Sequence, residues 1–143
     1  MPRRLHTGRP GTRALPAGWA AAQQPVVETT MLDATVALRE PGTTQDWSEA
    51  DQENVATAKP AYWTGGARIQ ALAAGRTVVT ADDPEATADY LISVSAAVAP
   101  IETHLLTVTA SSDPALTGRT FTVDQVVRGS HRFERDLFCT LAT

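Results

Sequence analysis

The segment "LLTVTASSDPALTGRTFTVDQVVRGSHRFERDLFCTL", residues 105–141, decides the fold. Its first six residues place Leu106, Val108 and Ala110 on one face, the period of two that a pleated strand needs to bury one side. A cluster rich in turn formers follows, residues 111–118, in which Asp113 can bond its own downstream backbone and Pro114 fixes φ. Alternation resumes after Gly118, with Phe121 and Val123 inward. "RGSH" then reads as a short Gly-containing hairpin loop. In the returning "RFERDLFCTL", Phe133, Leu137, Cys139 and Leu141 share a face, Arg132, Glu134, Asp136 and Thr140 oppose it, and Phe138 is the exception. This is a three-stranded meander. Gln125, in phase with Phe121, and Arg135, in phase with Leu137, interrupt the apolar face; a bulge or an interface at the sheet's rim accounts for both.

Working towards the N-terminus, "DYLISVS" sets Tyr90, Ile92 and Val94 on one face, and "ARIQAL" alternates Ile69 and Ala71 with Arg68 and Gln70. The paired glycines of "AYWTGG" read as a turn, and "NVATAK" ends at Pro60, which suits a strand end or edge. "LDATVALRE" alternates Leu32, Ala34, Val36 and Leu38 against Asp33, Thr35 and Arg39. Residues 41–53, "PGTTQDWSEADQE", show no sustained apolar period and read as a long acidic loop between early strands. Residues 17–31 fit one or two short helical pieces, with Pro25 expected at a first helical turn. About six short strands with little helix after Met31 predict a mainly β chain, a small antiparallel barrel or sandwich. Closure into a barrel also removes exposed edges. The expected organisation is a flexible basic arm over 1–16 and a single β domain over 17–143.

Composition agrees with one ordinary domain, since 143 residues at 43% hydrophobic suffice for a buried core. No run approaches the roughly 18 apolar residues of a membrane span, so a soluble protein is expected. Charge is unevenly placed. Arg3, Arg4, Arg9 and Arg13 fall in the first thirteen positions, leaving eight basic residues against sixteen acidic ones in the remainder, a net charge of −8. A basic arm can touch a phosphate backbone or an acidic neighbour, but an acidic body argues against a dedicated nucleic-acid reader. One cysteine excludes an intramolecular disulfide and points to a reducing interior. The N-terminal "MPRRLHTGRPGTRALPAGWAAA" imitates a secretory leader, but Pro10, Gly11, Pro16 and Gly18 break its apolar stretch.

The residues for catalysis are sparse. His6, His104 and His131 have no metal-site spacing, and there is no nucleophile elbow, phosphate-cradling loop or dinucleotide fingerprint. Cys139, on the apolar phase of a terminal strand, reads as a buried hydrophobe. Asp82, Asp83 and Glu85 lack the spacing of a calcium loop and read as a solvated turn. No enzyme, cofactor or metal is expected. The more informative stretch is the acidic one, where Trp47 lies among Asp46, Glu49, Asp51 and Glu53. Exposed, it would be an interface anchor; folded back, it would be core.

The order "MLDATVALRE", "TAKPAYWTGGARIQAL", "DYLISVS" and the close from residue 105 to 141 resembles the head-closure, or head-to-tail stopper, proteins of long-tailed bacteriophages, particularly those of actinobacteria. The resemblance runs from about Met31 to Leu141 and rests on a strand-and-turn pattern, most of all the Asp113-Pro114, Leu116, Gly118 turn. It implies a small β-barrel assembled as a sixfold or twelvefold ring in the virion neck, made in the host bacterial cytoplasm. Such a ring has the portal and adaptor above it and the tail terminator or tail tube below. Double-stranded DNA passes through it without sequence-specific binding, and no membrane is involved. Under this reading the acidic loop either lines the lumen and repels phosphates or packs, through Trp47, on an adjacent subunit or the adaptor. Another connector component, such as an adaptor or tail terminator, is the nearer alternative, although an adaptor should be mostly helical. A small secreted β-barrel binding module or hydrolase is the more distant one.

Overall fold

The alternating stretch at the start of the body becomes strand β1, Ala34–Arg39, whose residues are buried and half-buried in turn. In the computed structural model, which describes residues 16–30, 32–72, 88–128 and 133–142, β1 is followed by β2 (Thr43–Ser48), β3 (Glu53–Ala58), β4 (Ala61–Ala71) and β5 (Tyr90–Ser95). β6 (Leu105–Ala110), β7 (Thr120–Val126) and β8 (Glu134–Leu141) complete the strands, and one helix, α1 (Trp19–Thr30), precedes them. Six strands close an antiparallel barrel in the order β1-β4-β5-β8-β7-β6, while β2 and β3 form a separate two-stranded sheet. The meander read from residues 105–141 is present as β6-β7-β8.

The inward residues of all six barrel strands make one core. Val36, Leu38, Ile92, Val94, Leu106, Val108, Phe121 and Leu137 are fully buried, and Tyr90 meets Phe121 edge-on with ring centroids 4.9 Å apart. Closure satisfies every barrel edge, which an open six-stranded sheet could not do.

A bulge explains the interruption at Gln125. The β7–β8 register slips between Val123 and Gln125, so Asp124 is an extra residue and the inward phase passes from Phe121 and Val123 to Val126. Gln125 is thereby placed opposite Phe138, off the core phase. Arg135 pairs with Val94 near the start of β8.

Four expectations are corrected. Residues 41–53 are not a loop: most of them build the β2–β3 hairpin, whose mutual ladder satisfies the backbone without an apolar face. Gly65 and Gly66 are not a turn but lie inside β4, opposite Val36 and Thr35. A Cβ on Gly65 would stand 2.3 Å from the Trp63 ring, and one on Gly66 2.9 Å from the Leu32 Cβ. These glycines make room for side chains. Pro25 sits in the middle of α1 rather than in its first turn, and Phe133 leaves the core to meet the Trp19 ring, with centroids 5.4 Å apart.

Helix α1 has no fully buried residue and is fastened by polar contacts. The Gln24 amide donates to the Phe133 carbonyl at 2.9 Å, and the Ser95 hydroxyl donates to Glu28. Hydrogen bonds from Ser95 and then Gln24 hold the Glu28 carboxyl below its ordinary range. Ser95, on the outward phase of β5, is buried where these contacts meet, and Ser93, on the same phase, is buried where its hydroxyl donates to Asp136 at 2.7 Å. The basic arm residues Arg3, Arg4, Arg9 and Arg13, the acids Asp82, Asp83 and Glu85, and His6 and His131 lie outside the described residues.

Candidate functional site: the projecting hairpin

Strand β1 ends at Arg39, which pairs with Ala61 at the start of β4, so the whole of β2 and β3 is inserted at one point of the barrel wall. The root is held by an ion pair between Lys59 and Glu40 at 3.0 Å and a backbone bond from the Lys59 N–H to the Gly42 carbonyl. Gly42 has a φ of 95° there, a conformation glycine adopts without steric cost. Beyond the root, β2 and β3 pack chiefly on each other, and nearly every residue is exposed.

Register distributes the candidate residues over distinct faces. Asp46 pairs with Val55 and Ser48 with Glu53, while Trp47 pairs with Asn54; opposed residues share a face. Asp46 and Glu53 therefore lie on one side of the ribbon and Trp47 on the other. Asp46 accepts a hydrogen bond from the Thr57 hydroxyl at 2.7 Å. Glu49 and Asp51 occupy the tip, where the Ser48 hydroxyl donates to Asp51 at 2.9 Å and Gln52 takes a left-handed φ of 53°. Trp47 is 62% exposed. Of its two sequence readings, the exposed one is observed.

The barrel brings together residues no local pattern links. Tyr62 and His104, forty-two positions apart, share a hydrogen bond of 2.8 Å beside the hairpin root. Burial, and secondarily the Glu40 charge, push the Tyr62 hydroxyl above its usual pKa, the opposite of what an activated phenolate needs. Arg39 of β1 and Arg119 before β7 border a groove of about 570 Å³ that Leu105, Thr120 and Leu141 also line, Leu141 packing at the same time against the core. Sequence reasoning passed over these two arginines because eighty positions separate them. At the far end of the barrel a smaller cleft of about 250 Å³ is lined by Asp33, Tyr90, Ser111 and Asp113 among others.

Among the described residues no group of three or more His, Cys, Asp or Glu side chains is placed to hold a metal, and no helix is long and apolar enough to cross a membrane. Cys139 is fully buried. Burial, and after it the nearby Asp124, push its thiol far above the ordinary range, so the thiolate a nucleophile requires is suppressed.

A family model described as a family of unknown function (DUF6093) matches residues 23–140. The chain belongs to that family. The DUF6093 match begins within α1 and ends within β8, so it takes in both the barrel and the hairpin. No curated protein matches the chain. Among solved structures, the solution structure of protein SF1141 from Shigella flexneri 2a is similar at 16% identity, with a TM-score of 0.49. It covers 77% of this chain and 92% of its own.

Proposed function

We propose that this DUF6093 chain is a structural neck protein of a long-tailed phage, a head-to-tail stopper. It forms a ring beneath the portal and adaptor, retains packaged DNA and offers the tail its docking surface. The observation that carries the reading is the hairpin, a 16-residue ribbon from Thr43 to Ser48 and Glu53 to Ala58 with its tip between, inserted into an otherwise closed barrel wall. Two free strand edges and a bare tryptophan are a liability for an isolated monomer. They are an asset for a subunit that is only ever used in an assembly.

The same ribbon serves a channel. Its four carboxylates, with no cation between Thr43 and Ala58, would repel phosphates wherever they face DNA and let the duplex pass without sticking. The two sides of the ribbon divide the roles: Asp46 and Glu53 are available to a lumen while Trp47, opposite them, is available to a neighbour.

The test is to quantify the tryptic peptide Thr120–Arg128 by mass spectrometry in purified virus particles and in tailless, DNA-filled heads from the same lysate. Its presence in both, at a few copies per particle, is the expected result. Absence from particles overturns the assignment.

A further inference from the structure

We infer that the hairpin of one copy docks in the Arg39–Arg119 groove of the next, with Trp47 seated against the aliphatic part of its lining and the tip carboxylates Glu49 and Asp51 meeting the two guanidinium groups. The inference supplies the contact by which the proposed ring would be built and rests on that reading for closure alone. Charge complementarity selects the occupant. The ribbon carries four carboxylates and no cation, and among the described residues the groove lining carries two cations and no carboxylate.

Shape and availability agree with charge. A tryptophan buries about 150–250 Å² when it is covered, and a groove of about 570 Å³ with Leu105 and Leu141 in its lining has room for one. Arg39 makes no ion pair among the described residues, and the Arg119 Nε is held by the Ala115 carbonyl at 3.1 Å, which fixes that side chain without neutralising it. Glu40, the carboxylate next to Arg39 in the chain, is engaged by Lys59. The occupant is a second copy rather than the same chain, because the ribbon is fastened at its root and its tryptophan remains bare. Hairpin and groove are different surfaces of one subunit, so the contact is heterologous and propagates head to tail until a ring closes.

Complementary half-defective variants test this. Trp47→Ala lacks the knob and keeps the groove; Arg39→Glu combined with Arg119→Glu lacks the groove and keeps the knob. All three changes are at exposed or half-exposed side chains, and circular dichroism and melting establish that each variant folds. In analytical ultracentrifugation at up to millimolar concentration the wild-type chain should form oligomers. Each variant alone should dissociate with Kd weakened by at least about thirtyfold, the loss expected for an interface anchor. An equimolar mixture should form dimers and stop there, because only one intact contact can be made per pair.

A wild-type chain that is monomeric at that concentration overturns the docking, as do variants that assemble like the wild type or a mixture that stays monomeric. None of these outcomes bears on whether the Thr120–Arg128 peptide is present in particles, so the docking and the neck assignment fail separately.

Discussion

Thr103 is held at a φ of 80°, a region that β-branched residues enter only under constraint. The constraint is visible: the Thr103 N–H donates to the Val123 carbonyl at 2.7 Å while the Val123 N–H donates back to the His104 carbonyl at 2.9 Å. The pair pins the β5–β6 connection to the strand beside its bulge. Thr103→Gly removes the clash between Cβ and backbone but also loosens the unfolded chain, so a net gain of about 0.5–1 kcal/mol is expected. Urea titration reads it, and a midpoint at or below that of the wild type refutes it. Asp124, the bulge residue, is a second strained site of another kind. Its Oδ1 accepts from Thr140 at 3.4 Å, but Oδ2 is buried without a partner. Burial raises its pKa, with the Asp89 charge adding to the effect and the Thr140 bond opposing it. A carboxyl whose folded pKa is raised favours folding most below its unfolded pKa and loses that contribution as pH climbs through the folded value. Asp124→Asn keeps the acceptor for Thr140 and removes the charge. At neutral pH it should stabilise by roughly 0.5–1 kcal/mol after allowance for partial exposure, and the gain should vanish in acid. Equal melting of the two proteins at both pH values contradicts this.

Among the elements, β4 shows most clearly what a sequence hides. Its glycine pair has the local look of a turn, and the reason it is strand is non-local: Gly65 and Gly66 face β1 in register, with the Trp63 indole over one and Leu32 against the other. Gly65→Ala drives a methyl into an indole that packs against the core, and overpacking of that kind costs about 1–3 kcal/mol. Trp63 emission, isolated by replacing Trp19 and Trp47 with Phe, should shift red as the ring is displaced. An unshifted spectrum with wild-type stability would show that the ring yields at no cost. Strand β2 is hidden for a related reason, whereas β3 is legible in "NVATAK" ending at Pro60. Amphipathic alternation announces β1, β6, β7 and β8 because each buries one face, whereas β2 and β3 bury none, so Gln45, Asp46 and Trp47 carry no period to read. The candidate residues of the ribbon could be named from their acidity and the misplaced tryptophan, and their division over two faces could not. Arg39 and Arg119 become neighbours only when β1 and β6 pair and Thr120 meets Thr107, a consequence of closure that neither segment contains.

For the molecule as a whole, insertion of the hairpin at a single point implies that folding and the proposed assembly are carried by different residues. Arg39 and Ala61 are already paired across β1 and β4, so the barrel needs only a short connection there, and shortening a loop changes closure entropy by little: about 0.6 kcal/mol for each halving of its length. None of the fully buried side chains belongs to β2 or β3, and an isolated two-stranded ribbon adds little stability of its own. Replacing residues 42–59 by a two-residue Asn-Gly turn should therefore leave a cooperatively folding barrel with a melting temperature within a few degrees of the intact chain. The same deletion should abolish self-association, because it removes Trp47 together with the tip carboxylates. Calorimetry and sedimentation on one preparation separate the two effects. A deletion variant that fails to fold would make the ribbon part of the barrel's stability, and one that folds and still assembles would move the subunit contact elsewhere on the wall.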